Sequence, residues 1–163
     1  MGNRAVITTK ENFKDNGVGI YLHWNGGRDS VEGFLAYCEI KEYREPNDSY
    51  GWSRLTQVIA NFIGGTTSIG IDTVNNLDCD NLDNGVYIID GWKIVGREYH
   101  KGPEQAEDPL REVLMMVDAS QPEKEQVGEE EIDRYLKALN KEVRDHNTKV
   151  LNNALSGLFE KLG

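Results

Sequence analysis

The chain has 163 residues, 38% of them hydrophobic, with 28 acidic against 18 basic side chains and a formal net charge of −10 at pH 7. That length buries a core without disulfides, and the acidic excess argues against direct binding to nucleic-acid phosphates. No run approaches the ~20 apolar residues of a membrane span, so no membrane partner is expected.

The elements follow in chain order. Ala5 to Thr9 and Gly19 to Trp24 read as strands joined in a hairpin by the polar turn around Asp15-Asn16-Gly17. Asp29 stands as N-cap of a first helix with Glu32 three residues on; Val31, Phe34, Leu35 and Cys38 share its buried face, and it is expected to end before Pro46. Trp52, Leu55, Val58, Ile59, Phe62 and Ile63 form the stripe of a second helix that stops at Gly64-Gly65. Strands over 68–72, 85–89 and 93–99 follow, the last two closed by Asp90-Gly91. The order ββααβββ predicts an α+β domain over residues 1–100, with a mostly antiparallel sheet of about five strands and two packed helices.

Residues 101–163 read as a helical appendage. Asp108-Pro109 is an N-cap and first-turn pair for a short helix over about 109–117. One long helix over about 129–162 then carries Ile132, Leu136, Leu139, Val143 and Val150 at near-heptad spacing, continued with a one-residue slip by Leu151, Leu155, Leu158 and Leu162. At 1.5 Å per residue it is roughly 50 Å long, more than a 100-residue domain covers. Its seam calls for a second copy, a fold-back of the short helix, or a target. Self-association in the manner of a coiled coil is the leading expectation.

Four groups of residues carry chemistry. His23, Trp24, Asn25, Arg28 and Asp29 crowd one strand-to-helix turn and supply a base, a stacking surface, an amide and an anion-binding fork, a set suited to a nucleotide-like ligand. Asp72, Asp78, Asp80 and Asp83 form an acidic cluster with a metal reading. As a calcium loop it fails, because Leu82 and Gly91 fall where oxygen ligands are required; a turn built on Asx side chains explains it more simply. A magnesium-dependent nuclease would pair Asp72 with Asp90 and Lys93, one residue too distant for the usual acid-x-Lys spacing. Glu129, Glu130, Glu131 and Asp133 open the long helix as an acidic surface. No cofactor is called for, and nucleophilic catalysis has no motif. Cys38 and Cys79 lack metal spacing and read as thiols of a cytoplasmic protein.

Met1 to Thr8, Tyr21 to Gly27, Cys79-Asp80-Asn81 and Asn84 to Tyr87 together resemble small proteins of phages and mobile elements in Gram-positive bacteria, over roughly residues 1–100. That resemblance implies a setting, the host cytoplasm, in which small acidic proteins block host defences such as CRISPR nucleases. It assigns no catalytic residue. The leading expectation is therefore an accessory protein that binds a host protein with a basic surface. A binder of a nucleotide signal through the 23–29 turn is the alternative, and the nuclease is a second.

Overall fold

The computed structural model describes residues 2–104 and 108–162. In chain order it contains β1 (Ala5–Thr9), α1 (Lys10–Asp15), β2 (Val18–Leu22), α2 (Arg28–Ile40), α3 (Ser49–Ile63), β3 (Ile69–Thr73), β4 (Val86–Asp90), β5 (Lys93–Glu98), α4 (Leu110–Ser120) and α5 (Glu129–Leu162). Among the described residues no helix is long and apolar enough to cross a membrane.

The α+β class and the five strands agree with the sequence reading, but the order and pairing differ from ββααβββ. A short helix, α1, replaces the expected hairpin turn. The Thr9 hydroxyl caps it by accepting from the Asn12 N–H, and Asn16 closes it at φ 56°. β1 and β2 still pair antiparallel. The sheet order is β3-β2-β1-β4-β5, and β1 and β4 run parallel, so the sheet is mixed rather than uniformly antiparallel. The loop between β3 and β4 crosses one sheet face, where Leu77 and Cys79 pack beside Val6, Val86 and Ile88. It is tied to the start of β1 by Arg4, whose backbone N–H and Nε both donate to Asp83, and this delivers β4 next to β1.

Helix starts also shift. α2 is capped at Gly27, not Asp29; the Asp29 carboxylate instead accepts from the N–H groups of Ser30 and Asp108. α4 begins at Leu110 with Pro109 at the cap position, one residue later than the Asp108-Pro109 pair suggested.

The main core lies on the opposite sheet face from the crossing loop. Ile7, Ile20, Leu22, Tyr87 and Ile89 of the sheet meet Phe34 of α2, Leu55 and Ile59 of α3, and Leu114 and Val117 of α4. Ile132 of α5 joins the same cluster. α4 comes so close to α2 that a Cβ on Gly33 would collide with the Val113 side chain.

Asp118, at the end of α4, is buried and accepts three hydrogen bonds: from Tyr37 Oη at 2.7 Å and from the N–H groups of Val127 at 2.8 Å and Gly128 at 3.0 Å. One carboxylate thus links α2, α4 and the entry to α5. Burial and the Asp118 carboxylate together push the Tyr37 phenol far above its ordinary range, so it stays a donor at any physiological pH. Beyond Leu139, α5 leaves the body, and residues 140–156 and 158–162 are exposed.

Asp118→Ala removes the acceptor of two amides and leaves the buried Tyr37 phenol only its longer bond to the Glu125 carbonyl at 3.4 Å, an expected cost of about 3 kcal/mol. Chemical denaturation of the variant measures it. A loss below about 1 kcal/mol would show that water replaces the carboxylate.

Candidate functional site

The 23–29 turn is where β2 gives way to α2. Tyr21 Oη lies 3.1 Å from His23 Nδ1, and the Trp24 ring meets His23 edge-on with centroids 4.9 Å apart. Trp24 is 45% exposed. Asn25 takes φ 59°, turning the chain into Gly26, whose amide donates to the Asn3 carbonyl and whose carbonyl accepts from the buried Tyr87 hydroxyl. A Cβ on Gly26 would lie 2.5 Å from the Asn3 oxygen, so the close approach requires glycine there.

The anion-binding fork expected at Arg28 is engaged within the protein. Its Nε pairs with Glu32 at 2.7 Å and its Nη1 with Glu104 at 2.9 Å. Arg97 reaches the same Glu104 carboxylate at 2.5 Å while its guanidinium lies 3.8 Å over the Tyr87 ring. Arg28 lines only a small cavity of ≈ 230 Å³, shared with Glu32, Leu35, Trp92 and Tyr135. With Asp29 bonded to two backbone amides, the polar groups of the turn brace α2 against the segment before α4. Trp24 is the side chain this turn presents to solvent.

The acidic cluster divides. Asp83 and Asp78 both face Arg4, at 2.8 and 3.7 Å. Asp72 bonds the Thr73 N–H and the Asn76 amide, and Asp80 is exposed. The loop is organised by buried Asn81, which accepts from the N–H groups of Asp83 and Gly85 and donates to the carbonyls of Asp78 and Gly85. This is an Asx turn. Among the described residues no three His, Cys, Asp or Glu side chains gather into a metal-binding group. Asp72 on β3 and Asp90 on β4 have β2 and β1 between them, roughly 14 Å at the usual strand spacing, so the nuclease pairing is not brought together.

At the start of α5, Arg111 of α4 holds Glu129 at 2.5 Å and Asp133 at 2.8 Å, and Glu131 pairs with Arg134. Glu130 has no ion pair among the described residues. The arginine holds the Asp133 carboxyl below the usual range.

Two features went unseen in the sequence reading. Asp118 and Tyr37 are 81 residues apart and meet only in the fold. A cavity of ≈ 690 Å³ between α3 and the β2–β3 edge is lined by Ile20, Trp52, Thr56, Ala60 and Ile71, and none of its lining residues belongs to the turn the sequence favoured. Its one legible trace is a stripe of small and polar residues on α3, Ser49, Ser53, Thr56 and Ala60, at helical spacing beside the apolar stripe.

No family model, no curated protein and no solved structure matches this chain.

Burial alone would push the Glu104 carboxyl up, but Arg97 and Arg28 outweigh it and hold it below the usual carboxylate range. The stability this contributes is present above the ordinary glutamate pKa and is lost as pH falls through the lower folded value. Glu104→Gln is expected to lower Tm at neutral pH, with the gap to the parent closing below about pH 4. A gap that persists unchanged into stronger acid would contradict this assignment.

Proposed function

We propose that the chain is a non-enzymatic binding protein that works as an assembly joined through α5 and engages a partner protein from its acidic body. The observation that carries this is the bare seam of α5. Val143, Val150, Leu151, Leu155, Leu158, Phe159 and Leu162 are all exposed, Phe159 at 70% and Leu162 at 76%. These residues lie on an arm running about 35 Å past Leu139.

A second copy suits this arm on charge. From Lys141 to Leu162 the basic residues are Lys141, Arg144, Lys149 and Lys161 and the acidic ones Glu142, Asp145 and Glu160, a net of +1; the other 14 basic and 25 acidic residues leave −11 for the rest of the chain. Two bodies of that charge repel, whereas two near-neutral arms of mixed sign do not. The apolar spacing slips by one residue between Val150 and Leu151, which shifts the phase of the seam around the helix without ending it.

In the setting that the sequence resemblance implies, the engaged partner is a host protein with a basic surface, such as a nucleic-acid-binding defence effector. Glu129, Glu131 and Asp133 already answer Arg111 and Arg134, so their contribution to such a surface is reduced and Glu130 stands as its most available acid.

Sedimentation of the full chain against Leu151→Glu/Leu155→Glu tests the assembly. The parent is expected as a dimer or larger and the variant as a monomer, with unchanged unfolding of the body. A monomeric parent at all concentrations would refute self-association.

A further inference from the structure

The sheet has two edges, and they are treated differently. β5 carries Lys93, Arg97 and Glu98, pairs with β4 through a register shift at Ile88/Ile89, and has Glu104 held against Arg97. Such charges and irregularities discourage another strand from adding. β3 has one charge and no irregularity. It is regular, contains no Lys, Arg or Pro, and its single charged side chain, Asp72, is turned onto Thr73 and Asn76.

The ladder shows which groups β3 leaves open. The His23 N–H donates to Ser68 and the Val74 N–H to Gly17, so the hydrogen-bonded pairs of this antiparallel ladder are the alternate ones, 23/68, 21/70, 19/72 and 17/74. Ile69, Ile71 and Thr73 therefore direct their backbone groups away from β2. The Thr73 N–H is taken by Asp72 Oδ1 at 2.7 Å. The Thr73 C=O caps the 3-10 turn at Val74–Asn76, so what remains is a row made of the N–H and C=O of Ile69 and the N–H and C=O of Ile71.

This row borders the ≈ 690 Å³ cavity, which opens between β3 and α3. Ile71 faces the same side of the sheet as its partner Ile20, is 57% exposed, and forms one wall; Trp52, Thr56 and Ala60 of α3 form the other. A strand laid along β3 would satisfy the open row and place every second side chain over this apolar floor. No basic side chain lines the cavity; Asp48, which does line it, caps α3 through the Gly51 N–H and pairs with Arg44 at 2.6 Å, so the negative charge an incoming segment meets is that of the body as a whole.

We propose that the groove between β3 and α3 binds an extended segment of a partner protein by strand addition. The segment has apolar side chains at alternate positions and basic residues beside them. Backbone pairing supplies the affinity, the cavity selects the alternate side chains, and the acidic body selects against anionic segments. A second copy of β3 is the poorer occupant, because pairing two edges would press two acidic bodies together. This site lies on the body, so it stands whether or not the α5 arms associate.

The test is selection from a randomised eight-residue peptide library on the full chain, followed by titration of the enriched peptides into the parent, Ile71→Pro and Ala60→Phe. Proline at position 71 removes an outward donor without touching the β2 ladder, and phenylalanine at position 60 fills the cavity. Thermal unfolding checks that each variant is folded, and either one suffices if the other is not. Enriched peptides are expected to alternate apolar residues with Lys or Arg, to shift the amide resonances of Ile69 and Ile71, and to bind the variants about tenfold more weakly or worse. The proposal is overturned by no enrichment, by acidic or proline-interrupted winners, or by winners that bind both variants as well as the parent. It is equally overturned if an apolar dye binds the cavity while no peptide does, which would make it a small-ligand site.

Discussion

The direction in which α5 leaves the body is set by one buried carboxylate. Asp118 ends α4 and receives the Tyr37 hydroxyl from α2 and the Val127 and Gly128 amides from the entry to α5. An acid at this point satisfies donors that would otherwise be orphaned at a helix start, and favours the positive end of the α5 dipole. Ile132 then drops into the main core, Tyr135 and Leu136 pack at its margin, and the rest of the helix points outward. Together with these contacts and the Arg111 ion pairs to Glu129 and Asp133, the anchor defines the orientation of the seam from Val143 onward.

The same economy governs the other charges. Arg4 gathers Asp78 and Asp83, Arg28 and Arg97 share Glu104, and Arg111 joins Glu129 and Asp133. Exposed pairs of this kind stabilise little individually. Their effect is positional: they tie the crossing loop to β1, the strap before α4 to α2 and β5, and α4 to α5. The residues that look most like a reactive constellation in sequence, around Arg28 and Asp29, are consumed in this bracing. The surfaces left unsatisfied are apolar ones, the α5 seam and the β3 groove.

How much was legible follows from range. α2, α3 and α5 each repeat an apolar period over many residues, which made all three legible; the span of α5 was readable to the residue, while α2 ends at Ile40, well short of Pro46, and α3 begins at Ser49, one turn before the first apolar residue of its stripe. α1 was not, because Lys10 to Asp15 makes fewer than two turns with Phe13 as its one large apolar side chain, and a cap at Thr9 holds it. The parallel β1–β4 pair was hidden because strand order depends on Arg4 meeting Asp83, 79 residues away. At the 23–29 turn the residues themselves were visible, but their partners Glu104 and Asp108 come from another segment. The β3 groove needed both the ladder parity and the position of α3, neither of which a single sequence displays.

Self-association through α5 is open to a direct test by amide hydrogen exchange along the helix, followed as a function of protein concentration. The account predicts that amides from Val143 to Leu162 exchange quickly in dilute solution and become protected together as concentration rises, while those around Asp118 stay protected throughout. Fast exchange in the arm at every concentration would contradict it.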